Sequence, residues 1–186
     1  MITTNNREIY KKAVMLRDHG KPDHEYNIHT EFGYNWRMSE FHAALGQLQL
    51  DKANWIIRER RRLAALYDSL LGAQFQTVKL PLNIKSAYYK YPVFLPDGFG
   101  CARDAIKRIL KDKYRIELTG EVYERPLHSQ PVFENHPWAV SQNEEPFEDA
   151  DWVCSRHICL PLYPGLKDDE VEYVCDSLKE CVKEWK

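Results

Sequence analysis

The chain has 186 residues, 44% of them hydrophobic, with 26 Lys plus Arg against 28 Asp plus Glu for a formal charge of -2. That suits one ordinary domain, or one domain plus a piece of another, and the near-neutral balance argues against a nucleic-acid binder or a polybasic membrane anchor. No apolar run approaches the ~20 residues of a membrane span and MITTNNREIYKKAV has no signal-peptide core, so a soluble, cytoplasmic protein with no nucleic-acid or membrane partner is expected.

In chain order, Asn5 reads as an N-cap, with Glu8 completing a capping box, for a helix over residues 6–18. Ile9, Ala13 and Leu16 share its face. Gly20 and Pro22 end it, and His19 is placed to cap its C-terminus, where positive charge is favourable. GKPDHEYNIHTEFGYNWR, residues 20–37, is then a long polar loop; loops of this length are functional, disordered or docked on a partner, and Tyr26, Phe32, Tyr34 and Trp36 argue against disorder. Its end, GYNWR, reads as a tight polar-aromatic turn.

Ser39 caps a further helical pattern, carried by Met38, Phe41, Leu45 and Leu48 and continued by Ile56, Leu63, Leu66 and Leu70 to Gly72, as one long helix or two. The run Arg58–Arg62 within it reads as a solvated face rather than a nucleic-acid patch. From Phe75 the texture changes. FQTVKLP and YYKYPVFL read as strands. Ala102 to Lys113 reads as a helix with Ala105, Ile106, Ile109 and Leu110 inward, and RIELTGEVY as a strand entering a loop. The proline-rich stretch 124–146 is expected to be mostly irregular. FEDADWVCSR then reads as a short helix, HICLPL as a strand, and the last helix carries Val171, Val174, Leu178, Cys181 or Val182, and Trp185 on one stripe.

The five cysteines, Cys101, Cys154, Cys159, Cys175 and Cys181, read as reduced thiols. Cys154, His157 and Cys159 lack the second half of a zinc site, and no metal is expected. Residues 1–52 have no strand and cannot close a core alone. Residues 53–186 hold enough strands and helices for a small α/β domain.

MITTNNREIYKKAVMLRDHG, GYNWRMSEFHAALGQLQLDK, RPLHSQPVF and ICLPLYPGLKDDEVEYV, in that order, resemble the C-terminal portion of the DegT/DnrJ/EryC1/StrS family of pyridoxal-phosphate-dependent sugar aminotransferases of fold type I. The resemblance implies an α/β fold: the family's small C-terminal domain, a small sheet covered by helices, preceded by a helix-loop-helix remnant of the large domain. It implies transfer of an amino group to a nucleotide-linked keto-sugar, as in deoxysugar or cell-surface polysaccharide synthesis, with pyridoxal 5'-phosphate as cofactor of the complete enzyme. The family's cofactor-bonding lysine precedes the segment matching Met1. Neither Lys11 nor Lys12 matches it, so no catalytic residue is assigned and the chain alone is expected to be inactive and to hold no cofactor.

Family members are homodimers with shared active sites, and the GYN loop crosses to the neighbour. Carried over, Asn35 contacts the phosphate of the partner subunit's cofactor, a role an amide donor near a helix N-terminus suits. Arg37 either binds a phosphate of cofactor or nucleotide or braces its own loop. His128 lies on the substrate side. Where the family often has Thr as cap of the last helix, Lys167 stands, and Asp168 is expected to take that place. Two further readings stay open: one half of a split enzyme completed by a lysine-bearing N-terminal partner chain, and a non-catalytic interaction module. All share one expectation. Ile9, Leu16, Phe32, Trp36, Phe41 and Leu45 need covering, by a dimer or larger assembly, with residues 20–37 exchanged between chains or poorly ordered.

Overall fold

The computed structural model describes residues 2–23, 25–99, 103–118, 120–139 and 147–184. Its contacts divide the chain into two compact units, Met1–Ala53 and Asn54–Lys186.

In the first unit, α1 spans Arg7–Arg17 and its cap is Asn6, not Asn5: the Asn6 side chain accepts from the amides of Glu8 and Ile9. The slip of one residue puts Glu8 too early to reach back to the cap. The Asn6 N–H goes instead to Thr4 Oγ1 at 3.0 Å, and Glu8 pairs with Lys11. The capping box therefore does not form. Helix α2 spans Glu40–Leu71 as one helix of 32 residues, capped by Ser39, whose Oγ accepts from the His42 amide at 3.3 Å. The apolar side chains of this unit stay uncovered: Phe32 is 97% exposed, Phe41 76% and Trp36 64%, each forgoing the ~1.5–3 kcal/mol that full burial of such a side chain supplies.

The second unit begins within α2. Gly72, at φ +59°, turns the chain out of the helix. An antiparallel sheet follows in the order β1 (Gln76–Thr77), β2 (Tyr91–Phe94), β3 (His157–Leu160). Gln76 faces Phe94, and Tyr91 faces Leu160. Every residue of β3 is buried, as the unbroken apolar run Ile158–Leu160 requires. Helix α3 (Arg103–Tyr114) and α6 (Asp168–Glu184) pack together. Ile106 and Leu110 of α3, and Val171, Val174, Leu178 and Cys181 of α6, join Leu63 and Tyr67 of α2 and Val93 and Ile158 of the sheet in one core. Two tyrosines pin α2 to the strands. Tyr67 donates to Pro161 O at 2.8 Å, and Tyr91 donates to Asp68 Oδ1 at 2.6 Å. Their rings stack at 4.9 Å, and burial pushes both hydroxyl pKa values up.

Three expectations for this unit are corrected. RIELTGEVY forms no strand in its described residues: Arg115 sits at φ +59°, the Ile116 amide bonds back to Leu110 O and the Val122 amide goes to a histidine ring, so its donors never enter a ladder. The described part of the proline-rich stretch, residues 124–139, is wound mostly into short turns, at Leu127–Ser129, α4 (Pro131–Asn135) and Pro137–Ala139; Pro131 opens α4, where its missing N–H costs nothing, and α5 (Glu148–Arg156) comes later in the chain. Asp168 is not the cap of α6. The helix starts at Asp168, and Lys167 precedes it with its amide held by Glu170 Oε2 at 2.8 Å, while Asp168 is drawn to Arg62 at 2.6 Å. Arg61 donates to Ser86 O, so this arginine run braces its own domain.

Cys154, Cys159, Cys175 and Cys181 are free and buried. Cys101, Ala102, Pro146 and Trp185, which figure in the expectations above, lie outside the described residues. Among the described residues no cluster of His, Cys, Asp and Glu fit to hold a metal occurs, and no helix is long and apolar enough to cross a membrane.

Candidate functional site

The site of the first unit is built by two glycines. At the end of α1 the chain reverses through His19 at φ +59° and Gly20 at φ +78°, conformations that favour glycine at the second position. The loop then returns so closely that a Cβ on Gly33 would lie 1.9 Å from Gly20 N, and one on Gly20 would lie 1.8 Å from Glu31 O. Bare backbone on both sides permits that approach, and hydrogen bonds fill it. The Tyr34 amide donates to Leu16 O at 2.7 Å, His19 to Tyr34 O at 2.9 Å, Trp36 to Arg17 O at 3.0 Å and Thr30 to Gly20 O at 3.0 Å. The described part of residues 20–37 is closed on its own helix.

GYNWR is consequently an extended segment and not a tight turn. Asn35 makes an antiparallel bridge with Asp18. Side chains two apart share a face, as they do in a strand: Tyr34 stacks on Trp36 at 4.0 Å with planes 1° apart, and Asn35 meets Arg37 on the other face. Arg37 Nε donates to Asn35 Oδ1 at 3.2 Å, its Nη1 lies 3.4 Å from the carboxylate of Asp18, and its Nη2 donates to His19 Nε2 at 3.4 Å. Asp18 is 1% exposed and also lies 3.7 Å from Lys21 Nζ. The guanidinium is thus fixed by three groups of its own chain, and the amide of Asn35 is held by its oxygen. With its oxygen engaged, the Asn35 amide keeps its Nδ2 donor on the other edge of the group. Asn35 and Arg37 are both exposed, so a compact donor and a cation stand side by side where an anionic oxygen can reach them. On the Trp36 side of the segment, an apolar cavity of about 670 Å³ is lined by Ile9, Ala13, Leu16, Trp36 and Met38, among others.

His128 belongs to the second unit, in the turn Leu127–Ser129. Its ring stacks on Phe147 at 4.7 Å, and Nε2 lies 3.4 Å from Asp151 Oδ1, which holds the half-buried ring in one orientation. A second cavity of about 550 Å³ opens nearby in sequence terms, lined by Glu124, Pro126, Asp151, Trp152 and Arg156 among others.

Reasoning on the sequence missed Asp18, the buried partner of Arg37, and mistook His19. The C-cap of α1 is Asp18, and the His19 ring serves Arg37. The signal was present as the matched pair Asp18-His19-Gly20 and Gly33-Tyr34-Asn35, whose glycines face each other. Nothing local announces that the two triplets meet. A zinc role for His157 has no room: both of its ring nitrogens are bonded to backbone, at Val153 O and the Val122 amide.

The model of the DegT/DnrJ/EryC1/StrS aminotransferase family matches residues 1–179. A GDP-perosamine synthase from Escherichia coli O157:H7 is 28% identical over 184 residues, covering 97% of this chain and 46% of that protein. Among solved structures, Helicobacter pylori PseC, an aminotransferase involved in the biosynthesis of pseudoaminic acid, superposes with a TM-score of 0.80 at 24% identity over 97% of this chain and 48% of its own. NtdA from Bacillus subtilis, solved with bound cofactor PMP, does so at 0.80 and 19% over 97% and 41%. At those identities the two structures speak for the fold. The chain spans about half the length of the curated relatives it matches.

Proposed function

Because the chain belongs to the DegT/DnrJ/EryC1/StrS aminotransferase family, we propose that it supplies the C-terminal half of a pyridoxal-phosphate-dependent aminotransferase acting on nucleotide-linked keto-sugars. In this reading residues 1–52 complete the large, cofactor-binding domain and residues 53–186 form the small one. Asn35 donates its amide N–H to the phosphate of the cofactor seated in a partner subunit. Arg37, already neutralised in part by Asp18, adds a charge-assisted bond to cofactor or nucleotide phosphate. His128 borders the sugar. The observation that carries the reading is the closed 18–37 loop, which presents Asn35 and Arg37 together on an exposed face with the carbonyl end of the amide already occupied.

When bound, the cofactor supplies the electron sink for moving a proton at the substrate carbon that carries nitrogen, and a lysine must hold the cofactor and move that proton. No lysine in these residues is assigned that task. Lys11 pairs with Glu8 at 3.1 Å and Lys12 with Glu31 at 2.5 Å, both on α1. The uncovered apolar side chains of the first unit favour a partner, and a lysine-bearing N-terminal half, on the same or another chain, is the one this reading requires.

The test is reconstitution. The 186-residue chain with pyridoxal phosphate is expected to transfer no amino group, and a complex with the lysine-bearing half is expected to do so. Amino transfer to a keto-sugar by the 186 residues alone would overturn the reading.

A further inference from the structure

Residues 120–122 are held by side chains from three separate parts of the second unit. Lys90, just before β2, donates from Nζ to two backbone carbonyls, Gly120 O at 2.8 Å and Glu121 O at 2.9 Å. Lys107 on α3 is ion-paired with the Glu121 carboxylate. Burial pushes the pKa of that carboxyl up, yet the bonds from Lys107 and from the backbone outweigh it and leave Glu121 below the ordinary range. His157, the first residue of β3, is 2% exposed. Its Nε2 lies 3.1 Å from the Val122 amide and its Nδ1 2.7 Å from Val153 O. An amide N–H can only donate and a carbonyl can only accept, so the ring is the neutral tautomer with its proton on Nδ1.

This fastening replaces the strand that RIELTGEVY would otherwise add beside β3. A strand would satisfy the same backbone groups without burying an imidazole or spending an ammonium on carbonyls, both of which cost desolvation. What the arrangement gives is a segment fastened to the first residue of β3 at a set point without joining the sheet. Two residues beyond Val122 begins Glu124–Ser129, which carries His128 and lines the second cavity through Glu124 and Pro126.

We infer that His157 and Lys90 are positioning residues for the Glu124–His128 stretch: they grip the backbone of residues 120–122 and so fix where that stretch stands. The grip is a property of the chain itself. Its consequence for substrate rests on the proposed function above.

Amide exchange on the 186-residue chain tests the grip. His157→Leu removes the acceptor, and exchange at Val122 and across residues 124–129 is expected to rise by about tenfold or more, the scale of one lost hydrogen bond to a buried group. His157→Gln, which keeps an acceptor near the place of Nε2, is expected to recover most of the protection. Lys90→Met should loosen the same segment and Lys90→Arg should not. Should His157→Leu fail to fold, the Lys90 pair reads the same segment from the other side. Ring nitrogen shifts of His157 should report a protonated Nδ1 and a bare Nε2. Unchanged exchange in the loss variants, or an imidazolium or the other tautomer at His157, overturns the inference. In the reconstituted enzyme, Lys90→Met should raise KM for the keto-sugar more than it lowers kcat. If the grip behaves as described while His128→Ala leaves KM unmoved, the assignment of His128 to the sugar fails and the grip stands.

Discussion

Adding one methyl group to Gly33 should open the candidate site while leaving the second unit's core intact. The Cβ of Gly33→Ala would fall 1.9 Å from Gly20 N and 2.5 Å from His19 C, both backbone atoms that no rotamer change can move aside. The two segments must part by more than an ångström, which breaks the bonds His19–Tyr34, Tyr34–Leu16 and Trp36–Arg17. At a net ~0.5–1.5 kcal/mol each, the loss is about 3 kcal/mol, or roughly a hundredfold in local opening at 1.4 kcal/mol per decade. Amide exchange at His19, Tyr34 and Trp36 should therefore quicken about a hundredfold, with Val93 and Ile158 of the second unit unchanged. Gly20→Ala should behave in the same way, since its Cβ meets Glu31 O at 1.8 Å and its φ is +78°. Gly46→Ala is the control. Nothing lies within 4 Å of its Cβ, and a helical Gly exchanged for Ala gains about 1 kcal/mol. If Gly33→Ala left the three loop amides protected as in the parent chain, the claim that bare backbone builds this site would be refuted.

In the reconstituted enzyme, Asn35→Ala should weaken cofactor binding about tenfold to a hundredfold, the worth of one hydrogen bond to a charged group, read by fluorescence titration; Asn35→Asp should weaken it further by adding a negative charge. Arg37→Met should both weaken binding and take the nearer of two cations from the buried Asp18, leaving Lys21 at 3.7 Å, so its thermal midpoint should fall more than that of Asn35→Ala. The purified chain should sediment as a dimer or larger, and Phe41→Glu with Leu45→Glu should shift it toward monomer; a monomeric parent chain would contradict this. The thiols of Cys175 and Cys181 should resist alkylation at neutral pH, because burial pushes them up to about 12 and about 11 from 9.0. A thiol raised by folding holds its proton more tightly folded than unfolded, so this contribution to stability is complete below about pH 9 and declines through about pH 9–12, measurable as a falling denaturation midpoint. Tyr67→Phe should cost about 1 kcal/mol by removing the bond to the half-buried Pro161 carbonyl.

Periodic elements were legible in the amino-acid order alone. The stripes of α2, α3 and α6 and the buried run of β3 follow from apolar spacing, and the order of quoted motifs carried the family. Tertiary structure decided the rest, for a common physical reason. GYNWR could be read as a turn because its extended form is enforced by Asp18 and Leu16, which arrive from a helix earlier in the chain. RIELTGEVY has the composition of a strand, and lost that form because Lys90 and His157 bond its backbone from elsewhere while Lys107 holds the Glu121 carboxylate. Arg37 took its place only once a buried Asp18 stood beneath it. Local pattern determines which side a residue turns toward the interior. Which distant backbone it then meets is set by packing, and here the candidate site is made of such meetings.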